Sequence, residues 1–309
     1  MGLLALRSAV RPYLESLAPG DTVAVAVSGG ADSLALAGAV ALEAKKFTLK
    51  VIGVTVDHQL QLGSSEQASI VVKQLQELGI TESIVKKVDV VMHDGLEASA
   101  RRARYAAFEE ITADAIFLGH TKDDQAETVL LGLVRGSGGR SLSGMAAQTG
   151  KYIRPLLAIS RKETIAACQE LKVKPWTDPH NFDNSFLRVR VREKVIPLME
   201  YELGPGIIDA LVRTANLLRD DSDALDALAR EFWNKDQSLS VDELEQLPRA
   251  VRTRVLRIAI REFGGEPLSM DQVAAVEALV TNWKGQGEVS VPGGVKVSRI
   301  SGRLSLSKR

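Results

Sequence analysis

Cysteine is almost absent from this 309-residue chain, which has Cys168 alone. A single cysteine excludes an internal disulfide and any zinc site built from paired cysteines. It also excludes any mechanism that needs two cysteines in one chain. Cys168 is flanked by Ala166 and Ala167, a setting more typical of core packing than of a nucleophile.

Long apolar runs and an excess of one charge are also absent. No stretch approaches the ~20 apolar residues that a membrane span needs. The N-terminal segment does not fit a signal peptide, because its arginines follow its apolar stretch. We therefore expect a cytoplasmic protein with no membrane partner. The 39 basic and 39 acidic side chains cancel, so only a local basic patch can attract a nucleic acid.

Between residues 22 and 134, short apolar runs alternate with segments of helical periodicity. Strands are predicted at 22–27, 49–56, 83–88 and 115–119. Helices are predicted at 32–45, 66–78, 96–111 and 124–134. Strands that are apolar on both faces and alternate with helices imply a parallel sheet covered on both sides. Ligands of such sheets bind beyond the carboxyl ends of the strands.

The pattern changes after a break at Gly204-Pro205-Gly206. Helices are predicted at 207–233, 249–263 and 270–283, and short strands at 288–291, 294–298 and 303–307. We therefore predict an α/β chain with two domains. Residues 1–205 form a parallel-sheet nucleotide-binding domain, and residues 206–309 form a second, smaller α+β domain.

The segment VAVAVSGGADS ends a buried strand, turns on two glycines and opens a helix. Gly29 and Gly30 let backbone N–H groups approach an anion, and the helix N-terminus adds positive partial charge. Ser28 and Ser33 offer hydroxyl groups to phosphate oxygens. The segment lacks both the Gly-Lys-Ser/Thr ending of a Walker loop and the Gly-x-Gly-x-x-Gly spacing of a dinucleotide fingerprint. A plainer alternative is a turn in which Asp32 caps the helix.

Two further segments place polar side chains near the same predicted sheet edge. Asp57 and His58 end the second strand, where they contact a nucleotide or a metal or simply form a turn. Arg101 and Arg104 are three residues apart and share a helix face. Two guanidinium groups there suit phosphate neutralisation, although a solvated charged face is the alternative.

The segment GHTKDDQAET, residues 119–128, follows the fourth strand and opens a helix. Asp124 and Glu127 share one face of that helix. They form a capping box, with Asp124 as the N-cap, or they hold an ammonium group at the sheet edge. His120 and Asp123 favour the functional interpretation, because a cap explains neither of them.

Three arginine- or lysine-rich segments follow. Residues 135–145, RGSGGRSLSGM, supply two arginines on a flexible backbone. The alternate arginines of 186–192 line a phosphate-binding groove or form a solvated strand edge. Residues 284–309 carry six Lys or Arg side chains against Glu288, a net charge of +5. That local charge suits RNA phosphates, and a solvated tail is the alternative.

The SGGADS loop resembles the pyrophosphate loop of the ATP pyrophosphatases, which split ATP between the α- and β-phosphates and activate a substrate as its adenylate. In family order, the chain also carries VDH, EASARRARY, GHTKDDQAET, RGSGGRSLSGM, RPLL and DPHNFDNSFLR. From Val23 to about Leu198 it therefore resembles the tRNA(Ile)-lysidine synthases. The resemblance implies adenylation of the wobble cytidine of a CAU-anticodon isoleucine tRNA, followed by displacement of AMP by the amine of lysine.

This resemblance implies ATP and Mg²⁺ as cofactors and the isoleucine tRNA and L-lysine as partners, and a homodimer is compatible with it. The catalytic set comprises Asp32, Asp124, Glu127 and Arg101, with the acidic pair recognising lysine. The ATP-binding set comprises Ser28, Gly29, Gly30, Ala31, Asp32, Ser33, Asp57, His58 and Arg104, with Asp32 as the magnesium contact. Departures from the family pattern, which leave the tRNA contacts open, are Gln61, Thr121, Ser141 and Val189.

Three other functions stay open. A PP-loop tRNA sulfurtransferase would use the same adenylation, but such enzymes generally need paired cysteines. An amidating synthetase for a small molecule fits the basic C-terminal segment less well. An RNA-binding module that holds nucleotide only as a ligand would not require Asp32, Asp124 and Glu127.

Overall fold

The computed structural model describes residues 2–59, 63–91, 95–136, 138–178, 182–237 and 239–308. The chain divides into two compact units, Met1–Asn216 and Leu217–Arg309. This division falls inside a long helix, Ile207–Asp236, whereas the predicted boundary between residues 205 and 206 precedes that helix. We retain 205/206 as a proposed domain boundary. Within the described ranges, no helix is long and apolar enough to cross a membrane.

A six-stranded sheet with the order β3-β2-β1-β4-β6-β5 lies at the centre of the N-terminal unit. Its strands are β1 (Thr22–Ala26), β2 (Lys50–Asp57), β3 (Glu82–Lys87), β4 (Ala115–Leu118), β5 (Gln148–Thr149) and β6 (Tyr152–Ile153). All pairs are parallel except β5 with β6. The predicted α/β class and parallel sheet are confirmed, and the two-residue strands β5 and β6 extend the sheet beyond the prediction.

Both faces of this sheet are covered. Val23 and Val25 of β1 belong to one apolar cluster, which includes residues of the first two helices. Ala24, between them, belongs to a second cluster with Phe108. Since successive side chains of a strand point to opposite faces, this alternation places one apolar layer on each side of the sheet.

The helices of the N-terminal unit connect and cover these strands. They are α1 (Gly2–Glu15), α2 (Ala31–Ala44), α3 (Ser64–Glu77), α4 (Leu96–Glu109), α5 (Lys122–Val134), α6 (Gly139–Leu142), α7 (Arg161–Glu170), α8 (Leu187–Arg190) and α9 (Ile196–Glu202). A π-helical segment, Val191–Val195, joins α8 to α9. The strand-edge alternative for residues 186–192 is therefore wrong. Helical spacing instead places Arg188 and Arg192 on one face.

The C-terminal unit contains the end of α10 (Ile207–Asp236) together with α11 (Val241–Gln246), α12 (Arg249–Glu262) and α13 (Met270–Thr281). A three-stranded antiparallel sheet follows, formed by β7 (Val289–Val291), β8 (Val295–Ile300) and β9 (Arg303–Lys308). One apolar cluster, with Trp233, Leu244 and Val255 among its members, joins helices and sheet. The predicted smaller α+β domain is confirmed.

Candidate active site at the carboxyl edge of the parallel sheet

The loop between β1 and α2 has the geometry of an anion-binding turn. Gly29 has a φ of +88°, which favours glycine, and a Cβ there would lie 2.9 Å from Val71 Cγ2. Gly30 is the N-cap of α2, and among the described residues only Ser28 Oγ would lie within 4 Å of a Cβ there, at 3.7 Å. Glycine at 29 thus serves the turn, and the backbone at 30 stays open to an approaching anion.

The two serines of this loop hold its shape. The Ser28 N–H donates to Ser33 Oγ at 3.2 Å, and the two hydroxyl oxygens are 3.3 Å apart. Ser33 Oγ also donates to the Gly30 carbonyl at 3.0 Å. Behind the loop, a Cβ on Gly119 would lie 3.1 Å from backbone atoms of Asp32 and Ser33. The end of β4 therefore packs directly against the first turn of α2.

Asp32 lies inside the first turn of α2 and does not cap it, because Gly30 occupies the N-cap position. The Thr164 hydroxyl donates to Asp32 Oδ1, and Arg161 Nε lies 3.4 Å from Oδ2. Burial raises the pKa of Asp32 above its ordinary value, although Arg161 and Thr164 oppose the shift. Its side chain remains 21% exposed, in the turn directly after the glycine loop.

Asp124 serves both the helix cap and the site. Thr121, not Asp124, is the N-cap of α5, and Asp124 completes the capping box. Asp124 Oδ2 accepts from Thr121 N at 2.9 Å and from Thr121 Oγ1 at 3.0 Å. Asp124 Oδ1 faces Arg161 Nη2 at 3.4 Å and Arg192 Nη2 at 3.5 Å. Burial opposes its ionisation, but Arg161, the Thr121 N–H, His120 and Arg192 together lower the pKa of Asp124.

Glu127 is buried one turn further along α5, with a side chain that is 1% exposed. Arg192 binds it in a bidentate manner, with Nε 2.6 Å from Oε1 and Nη2 2.9 Å from Oε2. Arg188 Nε lies 3.8 Å from Oε2. Burial raises the pKa of Glu127, and the hydrogen bond from Arg192 opposes that shift. Glu127 therefore belongs to this edge of the sheet and is not part of the helix cap.

These contacts form a continuous chain of alternating charge, Asp32–Arg161–Asp124–Arg192–Glu127, from the glycine loop to the acidic pair. Arg161 was not predicted from the sequence. Ser160 and Glu163 form a capping box at the start of α7, and the Ser-x-x-Glu spacing could have located that helix. Arg161, the first residue of α7, would then have been placed at a helix N-terminus.

Asp57 and His58 end β2 beside the glycine loop. Asp57 is buried, and it accepts from Gln59 N at 2.9 Å and Ser65 Oγ at 3.1 Å. Burial opposes ionisation of Asp57, yet these hydrogen bonds lower its pKa. His58 Nδ1 is buried with no hydrogen-bond partner among the described residues. Burial, and then Arg104, lowers the pKa of His58.

A cleft with a volume of about 150 Å³ runs from the glycine loop past the end of β2. Its lining includes Ser28, His58, Gln67, Val71 and Trp176. The Trp176 N–H donates to the Gly29 carbonyl at 2.9 Å, so the segment after α7 also supports the loop. Trp176 and Gln67 carried no motif that sequence reasoning could use.

Arg101 and Arg104 reach this edge to different degrees. Arg101 is exposed, with its guanidinium 5.0 Å from the centre of the Tyr105 ring. Arg104 is half-buried, and burial together with Arg101 lowers its pKa. Burial, with a contribution from Arg104, also lowers the pKa of His120 to about 3, against the effect of Asp124. His120 is therefore neutral near pH 7.

A metal at this site would depend on the nucleotide for most of its ligands. In the part of the chain that the structure describes, no three His, Cys, Asp or Glu side chains cluster so as to hold a metal ion. Mg²⁺ commonly takes one or two protein carboxylates, with substrate phosphates and water completing its shell. The partly exposed carboxylate of Asp32, beside the glycine loop, fits that requirement. Gln61 and residues 179–181, which belong to the sequence motifs, lie outside the described residues.

Comparisons with known proteins agree with this geometry. Residues 6–199 match the PP-loop domain family, and residues 239–305 match the TilS substrate binding domain family. The tRNA(Ile)-lysidine synthase of Thermobifida fusca is 48% identical to this chain over 98% of the chain and 96% of its own length. The tRNA(Ile)-lysidine synthase of Rhodococcus erythropolis is 47% identical over 98% of this chain and 95% of its own length.

Among solved structures, the chain is similar to the U34-tRNA thiolase NcsA of Methanococcus maripaludis, solved with its iron–sulfur cluster. The TM-score is 0.55 at 22% sequence identity, covering 71% of this chain and 80% of that one. A likeness at this level of identity shows a shared fold and nothing about the reaction.

Proposed function

The chain belongs to the tRNA(Ile)-lysidine synthase family, and we propose that it ligates L-lysine to the wobble cytidine of the CAU-anticodon isoleucine tRNA. One ATP is consumed in each cycle. The ring carbonyl oxygen of the cytidine bonds to the α-phosphorus, and pyrophosphate leaves. The lysine amine then attacks the ring carbon that carries this oxygen and loses a proton. The bond between that carbon and the oxygen breaks, and AMP leaves with the oxygen. The product nucleoside is lysidine.

The observation that carries this proposal is the chain of alternating charge from Asp32 to Glu127. It puts a phosphate-binding loop and a buried acidic pair at one edge of one sheet. An adenylating ligase needs both, because one region must hold the nucleotide and the other must hold the amine that displaces AMP. We place the phosphates at Ser28 to Ser33 and the nucleoside in the adjoining cleft, with His58 and Arg104 at its end.

We propose that Asp32 contributes the protein carboxylate that holds Mg²⁺ with the nucleotide. When bound, the ion would neutralise charge that develops on the phosphates. Arg161 lies next to Asp32 and Asp124, so its guanidinium is placed to contact the phosphates as well. Arg104 of α4, whose charge acts on His58, contributes further positive charge.

Lysine recognition is assigned to Asp124 and Glu127. Both carboxylates bind guanidinium groups of this chain, which supports a role for them in holding a cation. The contacts of Asp124 Oδ1, at 3.4 and 3.5 Å, are longer than the 2.6 and 2.9 Å contacts of Glu127 with Arg192. Asp124 is therefore the carboxylate that more readily exchanges its partner for an ammonium group of lysine. The other amino group must lose its proton before it can attack.

The C-terminal unit is the proposed tRNA-binding part. Arg299 donates to Leu279 O at 3.2 Å and lies over the Trp283 ring at 5.6 Å, so it supports the unit itself. Other basic side chains of the same segment are exposed, and these are Lys284, Arg303 and Lys308. Exposed Lys and Arg side chains neutralise phosphates with little sequence preference. They would supply affinity, while the site at the parallel sheet selects the base.

A tRNA sulfurtransferase is the alternative, and Cys168 argues against it. The thiol is buried, and it donates to the Ala31 carbonyl at 3.3 Å. Burial, and then Asp32, raises the pKa of the Cys168 thiol to about 11. Sulfur carriers need an accessible thiolate, and this cysteine is neither accessible nor ionised near pH 7.

The test is incubation of the protein with ATP, Mg²⁺, radiolabelled lysine and the CAU-anticodon isoleucine tRNA. We expect label to enter that tRNA and to remain absent from the CAU-anticodon methionine tRNA. The Asp32→Ala variant should remain folded and release no AMP. Label-free tRNA, or transfer of sulfur from a donor in place of lysine, would refute the proposal.

A further inference from the structure

One face of α7 supports the first turn of α2 at three successive positions. Arg161, Thr164 and Cys168 have the i, i+3, i+7 spacing that places side chains on one helix face. Arg161 Nε lies 3.4 Å from Asp32 Oδ2, the Thr164 hydroxyl contacts Asp32 Oδ1, and Cys168 Sγ contacts the Ala31 carbonyl at 3.3 Å. Helix α7 therefore contacts both the backbone and a carboxylate of the first turn of α2.

Thr164 differs from its two neighbours on this face. It is fully buried, with 0% exposure, and its hydroxyl lies between Asp32 Oδ1 and the Arg161 carbonyl, which is at 2.8 Å. Threonine in a helix uses two rotamers, and the one seen here, in which the oxygen contacts the carbonyl three residues earlier, puts that oxygen beside Asp32 Oδ1. Packing alone would accept valine, which has the same shape. The hydroxyl is therefore explained by its hydrogen bonding and not by packing.

We propose that Thr164 is a positioning residue for nucleotide binding. Its hydroxyl holds Asp32 Oδ1, while Oδ2, which lies 3.4 Å from Arg161 Nε, would exchange that long contact for the metal that ATP brings. The inference rests on the proposed function, since it requires that the loop binds ATP with Mg²⁺. Without the hydroxyl, the carboxylate turns freely about its last side-chain bond and can pair more fully with Arg161. Metal-dependent nucleotide binding then weakens, while the loop itself keeps its form.

The test compares Thr164→Val, which keeps the shape and removes the hydroxyl, with Thr164→Ser, which restores it. Calorimetry measures ATP binding in excess Mg²⁺ and in EDTA, and electron paramagnetic resonance measures Mn²⁺ binding in the presence of ATP. A hydrogen bond to a charged group predicts a loss of about tenfold or more in metal-dependent affinity for Thr164→Val. Binding in EDTA should be unchanged, and Thr164→Ser should lie within about twofold of the wild type.

Thr253→Val is the matched control, because Thr253 also bonds a carbonyl in its own helix, that of Arg249 at 2.9 Å, and lies in the C-terminal unit. It should leave both affinities unchanged. If Thr164→Val does not fold, Thr164→Ala supplies the same comparison. The inference is overturned if Thr164→Val binds metal and nucleotide like the wild type, if it loses affinity equally in EDTA, or if serine fails to restore binding. Failure of the wild type to bind ATP would instead overturn the proposed function.

Discussion

Glu43 offers a quantitative test of how α2, the helix that follows the glycine loop, is supported. This carboxylate of α2 is fully buried and contacts three cations. Arg7 Nε lies 2.6 Å and Arg11 Nε 3.0 Å from it, both from α1, and Lys46 Nζ lies 2.9 Å away. Burial opposes ionisation, but the hydrogen bonds from these cations lower the pKa of Glu43 from 4.5 to about 2. One buried charge thus attaches α1 to the helix that carries Asp32.

Glu43→Gln keeps the shape of the side chain and removes its charge. Because the pKa is depressed in the folded protein, the charge stabilises the fold above pH 4.5, and this contribution is lost as the pH falls toward 2. The difference between a pKa of about 2 in the folded protein and 4.5 in the unfolded chain contributes about 3 kcal/mol to the free energy of unfolding at pH 7. At pH 3.5 the same contribution to the free energy of unfolding is about 2 kcal/mol. Partial exposure of the three cations makes these upper values.

The assay is urea unfolding followed by the fluorescence of Trp176, with Trp233 and Trp283 of the C-terminal unit replaced by phenylalanine in both proteins. Glu43→Gln should be less stable than its parent by about 3 kcal/mol at pH 7, with a smaller difference at pH 3.5. Equal differences at the two pH values would show that the charge is not responsible. A difference below about 0.5 kcal/mol at pH 7 would place Glu43 among ordinary surface ion pairs.

Three further predictions concern the site itself. Gly119→Ala puts a Cβ 3.1 Å from the backbone of Asp32 and Ser33, so we expect calorimetry to show ATP binding about tenfold weaker. Unchanged affinity would show that β4 does not support the loop. Glu127→Gln removes the counter-charge of Arg192, so the KM for lysine should rise about tenfold or more while the KM for ATP changes little. Equal rises in both KM values would indicate a general loss of structure and not a loss of lysine binding. His120 has a pKa of about 3, so it adds no step near pH 6.5 to the pH–rate profile, and a step that His120→Gln abolishes would contradict this.

The parallel sheet could be predicted because its central strands are apolar on both faces. Val23, Ala24 and Val25 are fully buried, and a short apolar run of this kind between turn residues is typical of a strand covered on both sides. Strands β5 and β6 have two residues each, too few to show any periodicity. Helix α1 buries Leu6 and Val10 at helical spacing, and it was not predicted.

The parts of the site that lie in local sequence motifs were predicted. Ser28 to Ser33 and the pair Asp124 and Glu127 follow strands directly, so the topology alone brings them to one edge. Arg161 and Thr164 contact Asp32 across more than 120 residues, and no local pattern specifies such a contact. The cap of α5 was misplaced by one turn because Thr121 and Asp124 have the same capping spacing as Asp124 and Glu127.

Transfer of oxygen from the tRNA to AMP tests the central claim most directly. The isoleucine tRNA is prepared with oxygen-18 in the ring carbonyl of its wobble cytidine and is incubated with the protein, ATP, Mg²⁺ and lysine. If the base is adenylated at that oxygen and lysine displaces AMP, mass spectrometry should find one oxygen-18 atom in each AMP formed and none in the lysidine ring. Lysine ligation with unlabelled AMP would show that lysine, not the base, is activated, and would contradict the account.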